Sequence, residues 1–156
     1  MGGRLKTEIK QSKPFASLEL EALLNLERTA DLVMRKTAGA LKSAELSPTQ
    51  YNVLRILKGA GPDGLACREI GERMITKDPD ITRLLDRMED RGLVVRARDE
   101  KDRRVVTSRI TAKGAKLAEE MEQPLLKMHK QVIGHLGEKN LQALVDLLEM
   151  VREGAK

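Results

Sequence analysis

The 156 residues are 40% hydrophobic and 34% charged, enough for one packed domain with a well-solvated surface. Lys and Arg number 29 against 24 Asp and Glu, a formal charge of +5, which favours anionic partners, nucleic acid first and an acidic membrane surface second. Phe15 and Tyr51 are the only aromatic residues, too few for a platform that stacks single-stranded bases, so a nucleic-acid target would be a double helix.

Other classes drop out as quickly. A lone cysteine, Cys67, makes no internal disulfide and, with two separated histidines, no zinc site. No apolar run approaches the roughly 20 residues that span a bilayer. The start, Met1 to Lys13, has no apolar core, so a cytoplasmic protein without a secretory signal is expected, with no membrane partner. Lys6 stands where a myristoylation signal needs Ser or Thr. No cofactor is implied.

Residues 1–13 form a polar, basic arm, read either as a mobile tail or as an arm that touches phosphates. From Phe15 to about Ser43, Leu20, Leu23, Leu24, Met34 and Leu41 recur at helical spacing. Leu18, Leu26, Ala30 and Val33 widen that stripe, as in a helix with two neighbours, one of them in another subunit. Ser47-Pro48-Thr49-Gln50 starts the next helix with a cap, a proline at its first position and a capping box. That helix runs to about Lys58. The turn from Gly59 to Gly64 lacks the Gly-Lys-Ser/Thr ending and preceding strand of a phosphate loop.

A short helix is expected over 66–74. Asp78 is expected to cap the helix after it, with Pro79 first inside. Ile81, Leu84, Leu85 and Met88 make its buried face, and Gly92 fits the left-handed position that ends it. Residues 93–98 and 104–110 read as two strands joined by the charged loop from Asp99 to Arg103. Thr111 caps a long apolar helix that Pro124 could bend, and a last helix starts near Glu138.

Two short helices followed by a hairpin make a winged helix-turn-helix, so the fold is mainly α with a small β-hairpin wing. The second helix of such a unit enters the major groove with its N-terminal residues toward the base edges. Here that end carries Lys77, Asp80, Thr82 and Arg83. Arg83 is the best candidate for a base contact, because its fork fits O6 and N7 of guanine, while Arg87, a turn further on, suits a phosphate. The plain alternative is that Arg83, Asp86, Arg87 and Asp90 only form exposed ion pairs along the helix. The hairpin clusters Arg96, Arg98, Lys101, Arg103 and Arg104 around Asp99, Glu100 and Asp102, as in a wing for a narrow minor groove.

From about Leu46 to Lys116 the chain resembles the MarR family of bacterial transcription regulators. The residues that carry the resemblance are Leu46 to Leu54, Ile81 to Glu89 with Arg91 to Val94, the wing run Asp99 to Arg104, and Ile110 to Gly114. The resemblance implies a homodimer with one DNA-binding domain per subunit, over 46–111. The helix in 14–45 and those in 112–156 would supply the dimer interface. It implies a repressor that reads an inverted repeat with half-site centres about 10 bp apart. Arg104 would be the wing arginine in the minor groove, and Asp102 the acid that orients it. Arg98 and Arg103, of the same basic hairpin cluster, are further candidates for DNA contact.

Many relatives release DNA on binding a small molecule, phenolic or otherwise anionic. Arg28, Tyr51 and His129 are the candidates here. Without tryptophan, urate is disfavoured. Cys67 does not match the peroxide-sensing position and reads as a small buried thiol. Three departures stand out: Ala66 replaces the usual cap, Gly71 replaces the usual alanine at about 1 kcal/mol of helix propensity, and acidic Asp80 faces the groove. A winged-helix adaptor that binds an acidic protein is the alternative function. Nothing in the histidine or cysteine spacing suggests an enzyme.

Overall fold

The computed structural model describes residues 3–77 and 80–156. In chain order the elements are α1 (Arg4–Glu8), α2 (Leu18–Leu41), α3 (Pro48–Ala60), β1 (Leu65–Ala66), α4 (Cys67–Arg73), α5 (Ile81–Asp90), β2 (Val94–Arg98), β3 (Val106–Ile110), α6 (Ala112–Ile133) and α7 (Gly137–Gly154). This is the mainly helical winged helix-turn-helix that the sequence predicts. One buried cluster joins Leu41, Leu54, Leu57, Ile70, Leu85, Met88, Leu93 and Met121, and so ties the recognition unit to the base of α2 and the first half of α6.

The arm is not a plain tail. Residues 4–8 are helical, Leu5 is buried, and Glu8 pairs with Arg28 of α2 at 3.0 Å. Ser17 then caps α2 through Leu20 N–H. At the start of α3, Ser47 Oγ accepts from Gln50 N–H at 3.1 Å and Gln50 Oε1 accepts from Ser47 N–H at 3.0 Å, which is the full reciprocal box. Ala66 has no side-chain acceptor to offer α4. Glu69 nevertheless reaches back to Ala66 N–H at 2.8 Å, so half of the box survives.

The hairpin is part of a larger sheet. β1 pairs antiparallel with β3, which pairs antiparallel with β2, in the order β1-β3-β2. Gly64 makes the first pairing possible. Its φ is +73°, and a side chain there would collide with the Ser108 carbonyl. Gly71 also has a packing reason. A Cβ on it would lie 2.8 Å from Ile81 Cδ1, so the glycine lets α4 and α5 approach.

The expected cap Asp78, with Pro79, lies outside the described residues. Helix α5 begins at Ile81 with Asp80 as its cap, and Asp80 Oδ1 accepts from Arg83 N–H at 3.1 Å. The acid that looked out of place in the groove is the cap that satisfies one of the free N-terminal donors of α5. At the other end Gly92 has φ +70°. Its N–H reaches Glu89 O at 2.8 Å, and Leu93 N–H reaches Met88 O at 2.9 Å, the paired closure of a Schellman ending.

Arg91 ties that end to the base of α2. Its guanidinium donates to the carbonyls of Glu45, at 2.6 Å, and Ala44, at 3.2 Å, in the turn that follows α2. Toward the C-terminus Leu126 and Ile133 of α6 and Leu144, Val145, Leu147, Met150 and Val151 of α7 are exposed. So are Leu18, Leu20, Leu23 and Leu26 of α2. No helix among the described residues is long and apolar enough to cross a membrane.

Candidate DNA-reading surface and effector cavity

The periodicity of α5 sorts its residues as expected. Leu84, Leu85 and Met88 are buried, and Thr82, Arg83 and Arg87 are exposed. The ion pairing is different from the one the spacing suggests. Asp86 turns away from Arg83 and, with Glu89, takes the guanidinium of Arg96 from β2, the Glu89 contact being 3.1 Å. Arg96 N–H also donates to Glu89 Oε2 at 2.8 Å. Arg96 shares a strand face with buried Val94 and is itself only 22% exposed, so it is a strut between recognition helix and wing and not part of the outer basic cluster. The hydrogen bonds from Arg96 hold the Glu89 carboxyl below its ordinary range.

Arg83 pairs instead with Asp80, Nε to Oδ2 at 3.4 Å, with 76% and 50% of the two side chains exposed. Such a pair is worth tenths of a kcal/mol and yields readily to a phosphate or base. Lys77, exposed, donates from Nζ to Gly71 O at 3.2 Å, where it steadies the exit from α4. Cys67, at the start of α4, is half-buried with its Sγ 4.0 Å from Thr82 Oγ1.

In the wing the acids shape the backbone. Asp99 Oδ1 accepts from Lys101 N–H at 2.7 Å and Asp102 N–H at 3.0 Å, and these bonds lower the Asp99 pKa. Asp102 Oδ1 accepts from Arg104 N–H at 3.0 Å. Asp102 therefore orients the chain at Arg104, through the backbone and not the guanidinium. Arg98 crosses the loop and donates to Arg103 O at 3.0 Å. Arg103 and Arg104 remain exposed, and neither is in an ion pair among the described residues. Sequence reasoning missed the turn-forming role of Asp99. Its signal is an acid two and three residues before amide donors, the pattern of an Asx turn.

A cavity of about 540 Å³ opens between α2, α3 and α6. Val33, Met34, Leu125 and Leu126 give it apolar walls, and Tyr51, Asn52, Arg55 and His129 its polar groups. Tyr51 and His129 thus come together as expected, but Arg28 does not join them, being paired with Glu8. Arg55 is the residue that sequence reasoning missed. It stands one turn after Tyr51, so the i, i+4 spacing could have found it. Burial pushes the Tyr51 hydroxyl up, which keeps it a neutral donor at working pH. Glu122, also in the wall, is taken by Lys58 at 3.0 Å. Among the described residues, no cluster of His, Cys, Asp and Glu could hold a metal ion.

The family model described as the MarR family matches residues 46–106. A MarR transcription factor from Planctomyces limnophilus is 42% identical over 88% of this chain and 99% of that one, with a TM-score of 0.68. The chain belongs to the MarR family. At lower identity, the PcaV transcriptional regulator from Streptomyces coelicolor, solved with its natural ligand, is 25% identical with a TM-score of 0.73. It covers 93% of this chain and 99% of its own. A mutant E. coli MarR complexed with operator DNA superposes with a TM-score of 0.76 at 23% identity, over 96% of this chain and 99% of that one.

Proposed function

We propose that this MarR-family chain is a cytoplasmic homodimeric repressor that binds an inverted-repeat operator and lets go when an anionic, phenol-like effector fills the cavity. The observation that carries the DNA reading is the wing loop. Asp99 and Asp102 are spent on backbone amides, so Arg103 and Arg104 stand out from the loop with their charge uncancelled. Thr82, Arg83 and Arg87 form the second contact surface, on the outer side of α5. The operator complex of the E. coli relative supports the same use of this fold.

Two copies are needed because one subunit leaves a broad apolar surface on α2, α6 and α7 in water. The effector reading is supported by the cavity chemistry. Lys58 neutralises Glu122, and Arg55 and Tyr51 offer a cation and a donor within apolar walls. It is supported too by the PcaV relative, whose structure holds its natural ligand.

The test is selection of bound duplexes from random DNA at low salt. Enriched sites should be inverted repeats, and their log affinity should fall linearly with log salt, by about 0.9 per phosphate neutralised. No enrichment would favour an adaptor that docks an acidic protein.

A further inference from the structure

The segment from Met74 to Lys77 leads out of α4 toward the recognition helix, and one side chain of α3 holds it. Asn52 Oδ1, on α3, accepts from Ile75 N–H at 2.9 Å. The contact does not serve the packing of Ile75, whose side chain is 83% exposed. Both residues also line the cavity, beside Arg55 and Tyr51. The wall of the cavity and the entry to α5 therefore share a single hydrogen bond.

We propose that Asn52 is the positioning residue that couples the cavity to DNA reading, an inference that rests on the operator-binding function above. With the cavity empty, the Asn52 carboxamide holds Ile75 N–H and fixes where α5 starts. That sets the entry of Thr82 and Arg83 into the groove. A molecule in the cavity whose hydroxyl donates to Asn52 Oδ1 competes with Ile75 N–H for that acceptor. Ile75 N–H is then released to water, which its exposure permits at little cost, and α5 loses its fixed start. The affinity for specific sequence falls while the general attraction to phosphate remains.

The bond can be cut from either end. Asn52→Ala removes the acceptor. Ile75→Pro removes the donor, and Met74, at φ −68° and ψ 138°, already has the extended conformation that a following proline requires. Each variant should lower affinity for the selected operator by roughly tenfold, about the worth of one hydrogen bond. Affinity for a random duplex and the cooperative melting of the dimer should be unchanged. The double variant should be no worse than the weaker single one, because both changes delete the same bond. Asn52→Asp, which keeps Oδ1 as an acceptor, should restore operator binding and slow exchange of the Ile75 amide.

Equal operator affinity in wild type and Asn52→Ala overturns the proposal. So do additive losses in the double variant, or equal loss on random DNA. If Asn52→Ala fails to fold, amide exchange in Asn52→Asp decides: an Ile75 amide that exchanges freely while the operator stays bound overturns the coupling. Wild-type protein that binds no duplex is a different result, and it defeats the DNA-binding function itself.

Discussion

Glu89 on α5 and Arg96 on β2 meet three times, through one backbone N–H at 2.8 Å and two guanidinium contacts at 3.1 and 3.4 Å. Seven residues apart in sequence, they lock the angle between α5 and the wing. Arg96→Met should cost about 1–2 kcal/mol in urea unfolding, since the half-buried carboxylates lose their donor. Operator affinity should fall further than stability predicts, because helix and wing no longer hold a common frame. Unchanged operator affinity at full occupancy of the folded state would sink this assignment.

The same pair makes stability acid-sensitive. Glu89 is held below its ordinary value of 4.5, chiefly by its hydrogen bonds to Arg96. A depressed carboxyl contributes stability that is fully present above the unfolded value and is lost as pH falls through the folded one. Wild-type stability should therefore fall on acidification below about 4.5, with a shallower slope in Glu89→Gln. Parallel slopes in the two proteins would refute it.

In the wing, Asp99→Ala and Arg104→Ala should both weaken operator binding, by different routes. Removing Arg104 deletes a contact, so the salt slope should drop by about 1. Removing Asp99 releases the amides of Lys101 and Asp102 and loosens the loop. Its salt slope should change less, and the melting temperature hardly at all. Footprints and affinity measured across a salt series separate the two.

Arg83→Ala should cost about 1–3 kcal/mol of operator binding and relax base preference at one position per half-site. Its exposed pairing with Asp80 contributes little to folding, so the thermal midpoint should stay within a degree or two. A variant with full sequence discrimination would move the base contact elsewhere on α5.

Gly114→Ala sets helix propensity against packing. Alanine inside α6 should gain about 1 kcal/mol. A Cβ at that position collides with the carbonyl of Leu93, where the turn between α5 and β2 is seated against α6. The substitution should destabilise the protein despite its better propensity, by about 1–3 kcal/mol in denaturant unfolding.

Much of this architecture was legible because the periods are clean. Leu84, Leu85 and Met88 define one face of α5, and Ser47 with Gln50 marks the start of α3 without ambiguity. β1 was not legible, because two residues carry no period. The cap on Ile81 was not legible, because Asp80 stands directly after Asp78-Pro79 and local pattern does not single it out. Arg96 was grouped with the wing cations by proximity in sequence. Strand alternation from buried Val94 would have turned it inward, toward the acids of α5. The cavity was half legible: Tyr51 and His129 stood out by type, while Arg28 was lost to Glu8, a pairing that depends on a helix not expected in the arm.

Arg91 anchors the back of α5 to carbonyl oxygens alone, those of Ala44 and Glu45. Peptide oxygens are uncharged acceptors that carry no titrating proton. The rear of the recognition helix is thus held by neutral acceptors, whereas its flank is held by the carboxylate of Glu89. Acid strong enough to protonate Glu89, below about 4.5, would take a charged partner from one side of the helix and none from the other.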